Sequence, residues 1–235
     1  SQLRTYQDLL KNPQDEQDFE SLATAALFWM DLNGKQTKFL DAAMYTQANL
    51  SPDGKYALVS KLKKPFSYVV SYNSFPQETD LYDVSGQLIA KVNETPLMEV
   101  MPKGFSSTRP GRRMLTWRAD KPSTLFFVQA LDGGDANKTV DFRDELFTLE
   151  YPFTGEPTSL TKVKDRFAGI IWGNDSYALV SSSWYDTRNT KTFLLNPSFF
   201  LKSFTIFLFT FSLKNLSTSI PVGTICTLRA TLYFS

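Results

Sequence analysis

Guanidinium groups are the chemically capable side chains that this sequence concentrates in one place. Arg109-Pro110-Gly111-Arg112-Arg113 puts three of them within five residues. A guanidinium offers a planar fork of N–H donors that matches a carboxylate through two parallel hydrogen bonds. That is binding chemistry, and arginines in a loop serve equally well by pairing with neighbouring acids or by staying solvated. Groups for bond cleavage are scarcer. The 235 residues contain no histidine, so they cannot assemble a Ser-His-Asp triad, and they carry no G-x-S-x-G nucleophile elbow. The single cysteine, Cys226, excludes an intrachain disulfide framework and a cysteine-rich zinc site. Asp132-Gly133-Gly134-Asp135 lacks the spaced oxygen ligands of a calcium loop and reads as a turn. Lys61, Lys63 and Lys64, ahead of Pro65-Phe66, read as strand-end charges that hinder edge association, with no binding role. No catalytic residue, metal or cofactor is expected.

A chain that is 42% hydrophobic and 21% charged has an ordinary globular composition. Its net charge of +1 hides an asymmetry, because all 24 acidic residues lie at or before Asp186. The body carries no basic surplus of the kind nucleic-acid binding favours. Phe204 to Phe211 is the most apolar window of the C-terminal part and is far short of the roughly 20 residues a membrane span needs. Neither a nucleic acid nor a membrane is expected as a partner. The chain opens on Ser1 without a signal-peptide pattern, and no targeting is read from it.

The elements that must position these residues follow from a repeated frame. Leu50-Ser51-Pro52-Asp53, Trp117-Arg118-Ala119-Asp120 and Trp172-Gly173-Asn174-Asp175 each place an apolar residue three positions before an aspartate turn. An apolar run follows each: Tyr56-Ala57-Leu58-Val59, Leu125-Phe126-Phe127-Val128 and Tyr177-Ala178-Leu179-Val180. A second signal alternates with the first. Leu27 to Leu32 runs into the tight-turn pair Asn33-Gly34, and Leu81-Tyr82 before Ser85-Gly86 and Leu146-Phe147 before Thr154-Gly155 repeat that hairpin. The spacing is that of a four-stranded β-propeller blade with enlarged loops. Equivalent positions put Trp117 and Trp172 on matching strands of adjacent blades, both buried.

The fold class expected is therefore all-β: an incomplete β-propeller of about three four-stranded antiparallel blades with an irregular C-terminal tail. Residues 1–22 read as an inter-blade connection with a short surface helix interrupted by Pro13. Residues 23–196 read as the partial propeller, with a blade end at about 25–40, full blades at about 43–92 and 100–163, and an incomplete one at about 167–195. Propellers close with four to eight blades, so just over three look like part of a ring. Residues 197–235 hold seven phenylalanines, no acids and no blade frame. They are expected not to pack as a blade, and windows of this kind are aggregation hazards when unpaired.

Several strings go beyond a generic propeller: R-T-Y-Q-D-L-L-K at Arg4 to Lys11, P-F-S-Y at Pro65 to Tyr68, W-R-A-D-K-P-S-T-L at Trp117 to Leu125, D-G-G-D at Asp132 to Asp135, and W-Y-D-T-R at Trp184 to Arg188. In these, Arg4 to about Pro197 resembles the propeller of the prolyl oligopeptidase family, in particular the glutamyl endopeptidases of plant chloroplasts and their bacterial relatives. The resemblance implies a serine oligopeptidase in which the propeller limits access to an α/β-hydrolase domain that follows it, with peptides cleaved after acidic residues. It implies peptide substrates, the hydrolase domain and upstream blades as partners, and the chloroplast stroma if the plant-type likeness holds. The sequence reads as truncated at both ends relative to that family, and no catalytic residue of the family maps onto it. The family has arginines at the places of Arg109 and Arg113, which makes these two the candidate substrate-binding residues. The alternative is a stand-alone β-propeller module that binds a protein partner.

Overall fold

The computed structural model describes residues 9–198 and 208–211. Its first element is a helix, α1 (Pro13–Ala23), entered through Asn12, whose side chain accepts from the backbone N–H groups of Gln14 at 2.9 Å and Asp15 at 3.0 Å. Pro13 therefore starts the helix and does not interrupt it: at the first helical position its missing N–H would have had no partner. Phe19 on α1 meets Phe66 edge-on at 5.3 Å, which seats the helix on a small core of Met44, Leu62, Phe66, Val70 and Phe75. No helix among the described residues is long and apolar enough to cross a membrane.

Apart from a short 3-10 turn at Tyr72–Ser74, the remaining elements among the described residues are antiparallel strands. Strands β1 (Ala25–Met30) and β2 (Gln36–Ala43) form a two-stranded first sheet. The second sheet holds β3 (Tyr45–Leu50), β4 (Tyr56–Leu62), β5 (Gln77–Asp83) and β6 (Leu88–Thr95). The third holds β7 (Arg112–Trp117), β8 (Thr124–Ala130), β9 (Asp144–Glu150) and β10 (Thr158–Val163). The fourth holds β11 (Arg166–Asn174), β12 (Tyr177–Trp184), β13 (Asn189–Leu195) and β14 (Leu208–Phe211). In each four-stranded sheet, sequence neighbours are spatial neighbours. The Asn33-Gly34 hairpin joins β1 to β2 as expected, and the Ser85-Gly86 and Thr154-Gly155 connections join the third and fourth strands of their sheets.

Two apolar layers hold the sheets face to face. Leu58, Leu81, Ala90 and Val92 of the second sheet pack against Trp117, Leu125, Phe127, Leu149 and Phe153, which lie on or beside the third. The opposite face of the third sheet places Phe126, Val128, Leu146 and Val163 against Phe167 and Val180 of the fourth. Strand β8 is thus covered on both sides, which is why its sequence is a continuous apolar run and not an alternation. Each such side chain contributes about 1.5–3 kcal/mol by leaving water.

Register fixes which residues are equivalent. Leu50 stands opposite Ala57, Trp117 opposite Leu125, and Trp172 opposite Ala178. Leu125 therefore matches Ala57, and the middle apolar run is offset by one residue from its place in the sequence alignment, because the turn after Trp117 is longer. The aspartate turns also bind neighbouring sheets to one another. The Trp117 indole donates to the Asn49 carbonyl at 3.0 Å, Ser123 Oγ donates to Asp53 at 2.7 Å, and Lys121 pairs with Asp175 at 2.7 Å. Burial pushes the Asp53 carboxyl up, but hydrogen bonds from Ser123, Ser51 and the Lys55 backbone, with the Lys55 charge, outweigh it and hold the carboxyl at about 2.

Three further expectations change in detail. Lys61 is not on an edge, since β4 is an inner strand; it pairs at 2.9 Å with both Glu78 and Asp80 of β5. Trp172 occupies the strand position expected of it but is only half-buried, with Phe126 edge-on at 5.5 Å and the Arg118 guanidinium 4.1 Å from its ring centre. Of residues 197–235, the short strand β14 completes the fourth sheet by pairing with β13, where Phe193 stands opposite Leu208. A β-prone window lacking a blade frame can still satisfy an open ladder. Residues 199–207 and 212–235 lie outside the described residues.

Trp117 is 8% exposed and keeps its hydrogen bond across sheets. Trp117→Ala is expected to cost about 3–5 kcal/mol in urea denaturation, and Trp172→Ala clearly less. Equal losses at the two sites would contradict this account of the interface.

Candidate functional site

The two ends of the sheets differ. One end carries the tight aspartate turns, while the other carries the long connections 63–76, 96–111 and 131–143 together with the turn 185–188. Long loops on a rigid scaffold are where binding groups gather. Loop 96–111 and loop 131–143 meet there because Gly134, at φ +87°, has no Cβ; one would lie 2.0 Å from the Thr108 carbonyl oxygen. Thr108 N–H donates to the Gly134 carbonyl at 2.9 Å. The Asp132-Gly133-Gly134-Asp135 string is thus a turn, with both glycines in the left-handed region.

Under that junction lies an ionic cluster. Arg166, where β11 begins, donates to Asp132 at 2.6 Å and to Asp144 at 2.9 Å. Arg143 donates to Asp132 at 3.0 Å, and Arg113 comes within 2.7 Å of Asp144. Asp144 also accepts the Phe167 N–H at 2.8 Å, and the Arg166 Nε donates to the Ser106 carbonyl at 2.7 Å. Both carboxylates are buried. Burial raises the Asp132 carboxyl, but Arg143, Arg166 and the Gly134 N–H outweigh it and hold it below its usual value. Three guanidinium groups face two carboxylates, so one positive charge has no partner within the cluster. Arg113 bears the mark of this imbalance. Its Nη1 reaches Thr108 at 3.2 Å, while Nε and Nη2 are buried without a well-directed hydrogen bond.

Two clefts open on either side of Arg113. One, of about 520 Å³, lies between the second and third sheets, lined by Arg109 and Arg113 with Phe75, Glu94, Met98 and Met101. The other, of about 470 Å³, lies between the third and fourth sheets, lined by Arg113, Arg166 and Arg188 with Phe105, Ser106 and Tyr185. Arg109 is half-buried, and burial followed by the nearby Arg113 charge lowers its affinity for its proton. Among the described residues, no carboxylate lies within ion-pair distance of Arg109. No group of three or more His, Cys, Asp or Glu that could hold a metal converges among them.

The structure brings the two sequence candidates together: Arg109 and Arg113 line one cleft, with Arg113 anchored on Asp144 and Arg109 in no ion pair among the described residues. Sequence reasoning missed Arg143, Arg166, Asp132, Asp144 and Arg188 as parts of the same region. The available signal was an arginine just before or at the start of three strands, at Arg112-Arg113, Arg143-Asp144 and Arg166-Phe167, where the ends of neighbouring sheets converge.

Asp144→Asn is expected to destabilise the chain by about 3–5 kcal/mol, because it strands buried guanidinium charge. Asp132 has a folded-state pKa below its unfolded value of about 3.9. Its contribution is complete above that value and is lost as pH falls through the lower, folded one. Urea midpoints should therefore hold from about pH 8 to 5 and fall below about pH 4, and Asp132→Asn should flatten that fall. An acid limb unchanged in Asp132→Asn would contradict the assignment.

Comparison with known proteins agrees with the motifs. The chain is 40% identical over 198 residues to the probable glutamyl endopeptidase, chloroplastic, of Oryza sativa subsp. japonica, covering 83% of this chain and 21% of that protein. It is 39% identical over 198 residues to the protein of the same description in Arabidopsis thaliana, covering 83% of this chain and 20% of that protein. No family model matches. Among solved structures, Pyrococcus horikoshii acylaminoacyl peptidase is similar with a TM-score of 0.46 and 14% identity, over 74% of this chain and 28% of that one. The chain spans about a fifth of the length of the plant proteins it matches. Over that stretch, it is similar to proteins described as probable glutamyl endopeptidases.

Proposed function

We propose that the stacked sheets are consecutive blades of an incomplete β-propeller from a serine-type oligopeptidase resembling glutamyl endopeptidase, and that this part of the protein is non-catalytic, gating or positioning peptide substrates. The carrying observation is a row of apolar side chains on the outer face of the fourth sheet. Ile171, Leu179 and Leu194 stand opposite one another across β11, β12 and β13 and are 70%, 38% and 40% exposed. The residues at Leu179's place in the second and third sheets, Leu58 and Phe126, are each covered by the next sheet and are 0% and 1% exposed. A further sheet of the same kind fits that face, as blade follows blade in a ring.

The chemistry assigned to the whole protein is acyl transfer after acidic residues, with the nucleophile, its base and the oxyanion donors supplied by a hydrolase domain outside these 235 residues. Arg109 and Arg113 serve as carboxylate contacts in the cleft between the second and third sheets. That role is supported by a half-buried guanidinium with no ion pair among the described residues, beside a second guanidinium. The chloroplastic naming of both plant relatives supports a chloroplast location, and we assign the stroma.

The purified chain is expected to give no turnover of a glutamate-containing fluorogenic peptide and no label from a serine-reactive phosphonate. Turnover abolished by the probe, with label on a serine of this chain, would overturn the non-catalytic reading. In the complete enzyme, Arg109→Gln is expected to raise KM for an acidic peptide by about tenfold or more with little change in kcat, because a charge-assisted hydrogen bond to substrate is lost. An unchanged KM would remove Arg109 from substrate contact.

A further inference from the structure

Strand β7 holds a large apolar side chain in a strained conformation and leaves it half in water. Arg113 stands opposite Val128 and Thr116 opposite Phe126, so β7 carries one extra residue between them. Met114 lies in that bulge at φ +53° and is 52% exposed. A long apolar residue is uncommon in the left-handed region and persists there only where its surroundings over-determine it. The two preceding residues do so: Arg112 Nη1 donates to the Val92 carbonyl of β6 at 2.6 Å, and Arg113 is held on Asp144 at 2.7 Å. A bulge re-aims a side chain, and this one lines the cleft between the second and third sheets. Burial in the chain's own core would be the ordinary reason to hold a methionine in this way, and Met114 is not buried.

The same cleft is lined by Met98 and Met101, both half-buried, and by Phe75. The Met98 backbone is fixed, since its N–H donates to the Ser74 carbonyl at 3.0 Å. Phe75 is 3% exposed and stacked on Phe66 at 5.2 Å. Three unbranched thioethers beside an anchored ring make an apolar wall that adapts its shape to what it meets. Glu94 is exposed and is the one carboxylate in the lining among the described residues, so it disfavours a second acid in a bound peptide. A cleft that joins apolar side chains to a few polar groups selects a ligand by both.

We infer that this cleft also takes a large apolar side chain from the peptide, beside its acidic residue, with Met114, Met98 and Met101 as the contacts. Resting on the carboxylate contact proposed for Arg109, this second subsite makes the preferred segment an acidic residue flanked by leucine or methionine, and not an acidic residue alone. Such a side chain covers the apolar surface that the β7 bulge holds in water.

Isothermal titration of the full 235-residue chain with acetyl-Leu-Glu-Leu-amide, acetyl-Gly-Glu-Gly-amide and acetyl-Leu-Gln-Leu-amide separates the two contacts. The leucine-flanked glutamate peptide is expected to bind at least about tenfold more tightly than the glycine-flanked one. Met114→Asn, which suits left-handed backbone but removes the apolar contact, is expected to cut that preference below about threefold with its urea midpoint unchanged. Leu32→Ser, at an exposed apolar position in the β1–β2 turn, should leave the preference intact. Where Met114→Asn loses the native circular-dichroism spectrum, Met101→Ser is read in its place and should lower the preference at least about twofold. Equal binding of the two glutamate peptides, no binding of any peptide, or a lowered urea midpoint in Met114→Asn with the preference intact overturns the apolar subsite. Equal binding of acetyl-Leu-Glu-Leu-amide and acetyl-Leu-Gln-Leu-amide, with the leucine preference lost in Met114→Asn, supports the apolar subsite and removes the carboxylate contact.

Discussion

Apolar burial on both faces of the third sheet is the constraint on which the remaining structure depends. Phe126 and Val128 look one way along β8 while Leu125 and Phe127 look the other, and all four are sealed from water. A strand so placed cannot alternate polar and apolar residues. It fixes the separation of the second and fourth sheets, and with it the width of the gaps at their ends. Hydrogen bonds between turns, such as the Trp117 indole to the Asn49 carbonyl, then set the rotation of one sheet on the next.

Charge is distributed around that core by a simple division. At the turn end, aspartates are satisfied locally: Asp53 by Ser51 and Ser123, Asp120 by a bidentate contact from Arg118. At the loop end, arginines outnumber the acids that they reach. Asp132 and Asp144 are shared among Arg113, Arg143 and Arg166, and Arg109 and Arg188 stand at the clefts on either side. The buried ion pairs need not add net stability, because removing charge from water costs several kcal/mol per ion before any attraction is regained. Their effect is positional: they hold Arg113 in the wall shared by both clefts.

Much of the fold was legible in the sequence because its signals are local. The repeated apolar-x-x-Asp frame located the first hairpin of each four-stranded sheet, and the Leu-aromatic hairpins located the third and fourth strands. Arg109 and Arg113 were legible as a pair because they are adjacent in sequence. What escaped was non-local. The one-residue offset of Leu125 against Ala57 depends on turn length, and only the cross-strand partner of Trp117 reveals it. Asp144 and Arg166 look like ordinary strand-end charges until the third and fourth sheets are stacked. Pro13 reads as an interruption because proline breaks a helix interior yet favours its first position, and the periodicity of residues 6–22 does not say which applies.

The meander order within each sheet has a consequence for how the chain could be made and cut. Every ladder joins strands that follow one another in sequence, so each sheet closes its own hydrogen bonds before the next is synthesised, and contacts between sheets reach only the immediate neighbours. Such a structure behaves as a one-dimensional series of units coupled in pairs. Proteolysis within the 96–111 connection would leave the pairing of β3 to β6 intact, and the disturbance would pass to the third and fourth sheets, whose Gly134, Arg166 and Tyr185 hold that connection.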